Sequence, residues 1–268
     1  MRNITFKNLA GIILISARIN GIEGWVALDT GAMQTALNRN YFLELEGEAI
    51  KIAKFDGEVA TTGAMETHLR EFSLDGIMVD DLPVLLMDMA YVENSLRTLD
   101  PELRFLGSVG IEVVGKVPVL VDYERSTITL DPDIDTNDAE KLPLSMEALP
   151  VITLELEGEP HRFVLDTGAN TCLLSGELSG KIEISPVPES PGICTIPLIK
   201  AGGREYADVS AVFTDLSHIQ NRVSVDGVIG YQVISKQLSL FDFPNSALYL
   251  FDNFHLALLL RSCSVVSI

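Results

Sequence analysis

Cysteine and histidine are scarce in this 268-residue chain: Cys172, Cys194 and Cys263, and His68, His161, His218 and His255. Their wide, irregular spacing yields no Cys-x-x-Cys pair and no Cys/His cluster, so neither a disulfide framework nor a zinc site is expected. The scattered histidines also argue against a Ser-His catalytic pair. Gly-x-Gly-x-x-Gly and phosphate-loop patterns are absent. Basic residues are half as numerous as acidic ones, 19 against 38, which leaves a formal charge of -19. A phosphate backbone would be repelled by such a surface, so nucleic acid is excluded as a partner. No apolar run is long enough to span a bilayer. Residues 10–17 form the apolar run nearest the start, and the apolar tail 254–268 is interrupted by Arg261. A packed strand or helix is the expectation for that tail.

What the chain does have is hydrophobic residues, 47% of the total, enough for a sizeable core in one large or two smaller domains. It also has an internal repeat. "WVALDTGAMQTAL" and "RFVLDTGANTCLL" both carry Asp-Thr-Gly-Ala after an apolar run, with Asp166 standing 137 residues after Asp29. The same offset places Ile15 on Ile152, Ile19 on Leu156, Gly21 on Gly158 and Leu28 on Leu165. Each copy reads as strand, tight turn, strand, and Asn20-Gly21 between apolar runs is a strong hairpin signal. Residues 10–17 are therefore the first strand of a folded unit. That reading displaces the alternative of a short signal peptide, and with no leader evident the cytoplasm is the expected compartment.

A second block repeats without a gap. Residues 106–130 match 226–250 at an offset of 120, which pairs Gly107 with Gly227, Gly110 with Gly230 and Asp122 with Asp242. The smaller offset means that the first copy carries 17 more residues between its two blocks. Asp75-Gly76 and Gly202-Gly203 read as hairpin turns in the middle of each copy, and residues 88–104 have room for a short helix. Residues 131–150 are acidic and proline-bearing and read as a connection. The expected fold is mainly β. Two homologous closed, barrel-like lobes, residues 1–135 and 149–268, would be related by pseudo-two-fold symmetry across a linker at 136–148.

Asp-Thr-Gly alone is a common turn after a strand. Duplicated, with apolar flanks and apolar-apolar-Gly downstream in both copies, it resembles the aspartic proteases over roughly residues 12–131 and 149–251. The Ala after Asp-Thr-Gly resembles the retroviral branch, and two motifs in one chain resemble the bilobal pepsin-like branch. The resemblance implies an aspartic endopeptidase acting on an extended peptide or unfolded protein, with its active site complete in one chain and no cofactor or metal. Asp29 and Asp166 would be catalytic, sharing a proton so that one serves as base and the other as acid. Thr30 and Thr167 would cross-bond between the loops, while Gly31 and Gly168 leave room for water and substrate. Ala32 and Ala169 offer the carboxylates no hydroxyl. Val109-Gly110 and Ile229-Gly230 would pack behind the active loops. A β-hairpin flap is expected at 55–69, involving Gly57, Thr62 and Gly63, with its counterpart at 182–196. An alternative stays open: a protease fold that has lost activity and only binds extended peptides or mediates association. Gly107 and Gly227 are read as turn residues, Asp122 and Asp242 as hairpin carboxylates, His68 as exposed and Cys172 as a small core residue.

Overall fold

The computed structural model describes residues 1–53, 59–79, 81–187, 190 and 192–252. Each copy opens with a hairpin. Strand Ile12–Ile19 turns through Asn20-Gly21 into Ile22–Leu28, and Pro150–Leu156 turns through Glu157-Gly158 into Glu159–Leu165. All four turn residues have positive φ (46°, 81°, 53° and 84°), the geometry that suits a two-residue connection to the twist of the flanking strands. The period-2 alternation holds where one face meets solvent. Arg18 and Glu155 point outward, while Ile15, Ile19, Ile152 and Leu156 are buried.

The second lobe closes on itself. Its barrel runs Pro150–Leu156, Glu159–Leu165, Gly227–Ile229, Cys172–Ser175, Arg204–Thr214, Ile193–Ala201, and returns to the first strand by pairing Leu156 with Ile199. The first lobe follows the same order, with one difference. Its two middle strands are each interrupted, into Val59–Leu69 and Phe72–Leu74, then Ile77–Val79 and Leu82–Met87. Ile19 pairs with Phe72, as Leu156 does with Ile199. Asp75-Gly76 and Gly202-Gly203 form the expected hairpin turns. The helix foreseen within 88–104 is Ala90–Arg97.

A sheet joins the lobes. Its antiparallel strands lie in the order Arg2–Thr5, Thr127–Leu130, Val119–Asp122, Leu238–Asp242, Ala247–Phe251, Glu140–Met146. At its centre Leu120 pairs with Leu240, its own counterpart at the offset of 120, with Val119 opposite Phe241 and Val121 opposite Ser239. The pseudo-two-fold axis passes through that pair. One continuous apolar cluster runs from the first barrel through this sheet into the second.

The stretch read as a linker is more than a connection. Glu140–Met146 is a strand that pairs with Ala247–Phe251 at one end and with Pro150–Leu156 at the other. Its inward residues are Leu142 and Leu144, a short alternation masked in the sequence by Pro143 and the acidic run before it. The tail from residue 254 lies outside the described residues. Among the described residues no helix is long and apolar enough to cross a membrane.

Candidate active site

Each Asp-Thr-Gly-Ala loop begins where a strand ends against its parallel neighbour. The backbone N–H of Asp29 donates to Val109 O at 3.0 Å, and that of Asp166 donates to Ile229 O at 2.9 Å. The loop then turns tightly, with Ala32 N–H reaching Asp29 O at 3.3 Å and Ala169 N–H reaching Asp166 O at 3.4 Å. Its exit is pinned from behind. Ile111 N–H donates to Ala32 O and Tyr231 N–H donates to Ala169 O, each at 2.8 Å. Gly110 and Gly230 make this close approach possible, since a Cβ would lie 2.8 Å from Ala32 O and 2.1 Å from Ala169 O respectively. The two apolar-Gly pairs therefore lie behind the active loops.

Gly107 and Gly227 are not turn residues. They sit inside strands Phe105–Val109 and Gly227–Ile229. A Cβ there would strike Ala36 O at 2.1 Å and Leu173 O at 2.3 Å. Close backbone approach inside a strand, rather than a turn, is what requires glycine at both.

The two loops meet at the lobe interface. Thr30 Oγ1 donates to Leu165 O and Thr167 Oγ1 donates to Leu28 O, both at 2.7 Å. Each hydroxyl also accepts from the other loop, from Thr167 N at 3.0 Å and from Thr30 N at 3.2 Å. Both threonines are buried. This reciprocal set ties each active loop to the strand leading into the other.

The carboxyls of Asp29 and Asp166 share a hydrogen bond. Asp166 Oδ1 also accepts from Gly168 N at 2.7 Å and from Gly31 N, in the opposite lobe, at 3.2 Å. The fit is tight: a Cβ on Gly31 would lie 2.4 Å from Asp166 Cγ, and one on Gly168 would lie 2.7 Å from Asp29 Cγ. Burial holds the Asp29 carboxyl well above the usual carboxylate range. The neighbouring Asp166 charge and the hydrogen bond with Asp166 add to the effect. Burial also raises Asp166, but the N–H groups of Gly168, Gly31 and Ala169 and the bond from Asp29 oppose the rise. The two carboxyls therefore titrate as a coupled unit rather than as separate sites. Both residues keep part of their surface exposed, so the pair is open to a solvent molecule on one side.

Some supporting residues were not singled out in the sequence. Thr35 is buried behind the first loop, where its hydroxyl accepts from Gly110 N at 3.2 Å. Its counterpart at the 137 offset is Cys172, whose sulfur accepts from Gly230 N and whose thiol burial pushes up to about 11. Cys172 is thus a buried packing residue, and the offset itself was the signal for Thr35. Glu112 accepts from Thr35 N at 2.6 Å. No pattern in the sequence marked it.

Within the expected hairpin at 55–69 the described residues form one strand, Val59–Leu69, and its antiparallel partner is Glu48–Ala53, before that span, with Glu48 opposite Glu66 and Ala53 opposite Val59. Gly57 lies outside the described residues. Thr62 and Gly63 are not at a tip. They lie on the longer strand, where the ladder skips between Ile50 and Ile52, as a glycine within a strand often signals. Gln34, on the active loop, donates to Glu66 of this hairpin at 3.2 Å. Among the described residues of the second copy, the equivalent place has the two-residue strand Ser185–Pro186 paired with Cys194 and Thr195. His68 is exposed beside Asp81. Asp122 and Asp242 cap their hairpins, accepting from Arg125 N and Asn245 N.

Compared with known proteins, no family model matches the chain and no curated protein does. Among solved structures, it is similar to an aspartic proteinase from Irpex lacteus. That match has a TM-score of 0.58 at 11% identity, covering 96% of this chain and 99% of the other. The fold is the bilobal aspartic-proteinase fold. The agreement extends over both lobes, and the Asp-Thr-Gly-Ala loops lie where the two meet.

Proposed function

We propose that this chain is an aspartic endopeptidase that hydrolyses extended peptide segments, retroviral in its motif and pepsin-like in having both halves in one chain. The single observation that carries the reading is the meeting of Asp29 and Asp166 at the lobe interface, held by reciprocal threonine bonds. A water molecule against both carboxyls would lose a proton to Asp166 as its oxygen attacks the peptide carbonyl carbon. Asp29 would give its proton to the carbonyl oxygen. The diol collapses as the nitrogen takes the proton from Asp166, a diol hydroxyl gives its proton to Asp29 and the C–N bond breaks, so the products are acid and amine and the pair again holds one proton. No cofactor enters. A cleft between two β lobes with a hairpin at its edge suits a peptide in the extended form, bound through its main chain. The other reading, an inactive peptide-binding module, rests on the fold alone. Incubating the purified protein with a mixed peptide library separates the two. Cleavage products that vanish with a statine-type transition-state inhibitor are expected, and binding without any products would favour the second.

The pH profile follows from the same pair. Cleavage needs one proton on the pair: the rate falls in acid as Asp166 becomes protonated and falls in alkali as Asp29 ionises. Both carboxyls are raised, so the active window lies above the ordinary carboxylate range, and the optimum should fall at mildly acidic to near-neutral pH. Ala32 and Ala169 contribute no hydroxyl that would favour the ionised form. The double substitution Ala32→Ser/Ala169→Ser should therefore move the profile toward acid. An unchanged profile on the same substrate, or a wild-type optimum in strong acid, contradicts the assignment.

A further inference from the structure

The duplication supplies its own comparison for a feature on the far side of the first active loop. In the second lobe this region is divided: Ile152, Leu165, Val233, Ile234, Leu248 and Leu250 surround an inner hollow of about 20 Å³, and Arg204, Glu205, Tyr206, Lys236 and Gln237 line a separate polar one of about 390 Å³. In the first lobe the counterparts of both sets, Ile15, Leu28, Val113, Val114, Ile128 and Leu130 with Val79 and Lys116, line a single apolar pocket of about 500 Å³. That volume is within the range of small-molecule sites.

Two changes account for the difference. The divider is missing: Tyr206, whose hydroxyl donates to Gln237 at 2.9 Å, stands with it between the two hollows of the second lobe, and the matching residues in the first are Val79 and Val117. The rim is also different. In the second lobe Arg204 and Glu205 pair with Glu140 and Lys200 at 3.7 Å and 3.0 Å. In the first lobe those two positions are Ile77 and Met78, and Met78 is 58% exposed. A methionine at such a rim adapts its shape readily. Arg2 and Lys116 line the same pocket, with Asp131 the one acid among its lining residues. A net positive mouth on an apolar pocket is notable in a chain of formal charge -19.

We propose that this pocket binds one free, unbranched aliphatic carboxylate of the fatty-acid type, with its chain among the aliphatic residues and its carboxylate at Arg2 and Lys116. The apolar lining sets the chain, and the basic rim selects an anionic head over a neutral one. The proposal does not depend on proteolytic activity.

Calorimetric titration of the full chain with hexanoate, octanoate, decanoate and dodecanoate, each below its micellar concentration, tests it. Saturable binding of one molecule is expected, with affinity rising up to about fourfold per added methylene until the pocket is full. Val79→Tyr/Val117→Gln, which installs the second lobe's divider, should weaken dodecanoate at least about tenfold. Lys116→Glu leaves the interior intact and keeps the test valid if the double variant misfolds. It should weaken dodecanoate about tenfold while leaving dodecanol unchanged. Several results overturn the proposal: no saturable binding, affinity indifferent to chain length, or dodecanol bound as tightly as dodecanoate. Dimerisation lost with Val79→Tyr would assign the pocket to a second copy. Binding seen only after removal of residues 253–268 would assign it to that tail.

Discussion

Asp29→Asn should abolish peptide cleavage and, at the same time, make the protein more stable at neutral pH. The first effect follows from removing the group that holds the shared proton, and the loss should be on the order of a thousandfold or more. The second follows from linkage. The folded-state pKa of Asp29 is raised, above all by burial. Well below the ordinary carboxylate pKa both folded and unfolded chains hold this proton, and the group contributes no pH dependence. As pH rises past that value the unfolded chain releases the proton while the folded chain retains it. Stability therefore declines with pH until Asp29 itself ionises. An asparagine removes this slope. Melting curves of wild type and Asp29→Asn should coincide in acid and separate upward in pH, with the variant melting higher. Asp166→Asn should be equally inactive but gain less, because backbone donors from both loops offset part of the burial of Asp166. Cleavage by either variant at the wild-type rate would remove the dyad from the mechanism. Melting curves that separate in acid and converge at neutral pH would remove its electrostatic account.

The second large effect concerns the threonine cross-bonds. Valine matches threonine in shape, so Thr30→Val leaves no cavity. It does leave Leu165 O and Thr167 N without their partner in a buried interface. Each orphaned group is worth about 1–3 kcal/mol, so the single variant should lose roughly 2–6 kcal/mol. Thr167→Val removes the mirror-related pair of bonds and should lose a similar amount. The two sets share one network, so the double variant should depart from additivity by about 0.5–3 kcal/mol. Thr30→Ser keeps the hydroxyl and should recover most of the loss. Urea denaturation of wild type and the four variants, with turnover measured alongside, is the check. Valine variants within about 0.5 kcal/mol of wild type would show that the cross-bonds hold nothing in place.

Most of what positions the site was legible in the sequence because duplication makes spacing informative. The offset of 137 paired Asp29 with Asp166 and the Asn20-Gly21 turn with that at Gly158, and the offset of 120 paired Gly110 with Gly230. Chemistry at those positions tolerates little: a Cβ on either of the latter glycines would collide with an active-loop carbonyl. What was not legible depended on partners distant in the chain. Glu140–Met146 looked like a connection because its alternation is two leucines long and Pro143 interrupts it. It is a strand because Ala247–Phe251 and Pro150–Leu156 both present it with an edge. Gly107 and Gly227 have the surroundings of turn residues in one dimension, and only the neighbouring strand shows why a side chain is forbidden. Glu112 serves the loop through the backbone N–H of Thr35, and such a contact leaves no residue pattern to find.

The pairing of Leu120 with Leu240 also bears on dilution. If each Asp-Thr-Gly-Ala loop were carried by a separate subunit, the site would form only above the dissociation constant of the pair. Here the second loop is supplied at an effective concentration fixed by the joining sheet. Turnover per molecule should be the same at nanomolar as at micromolar protein. Freed from having to be identical, the two halves can also diverge. Among the described residues, one pairs the strands Glu48–Ala53 and Val59–Leu69 beside its active loop, while the other sets only the two-residue strand Ser185–Pro186 against Ile193–Ala201.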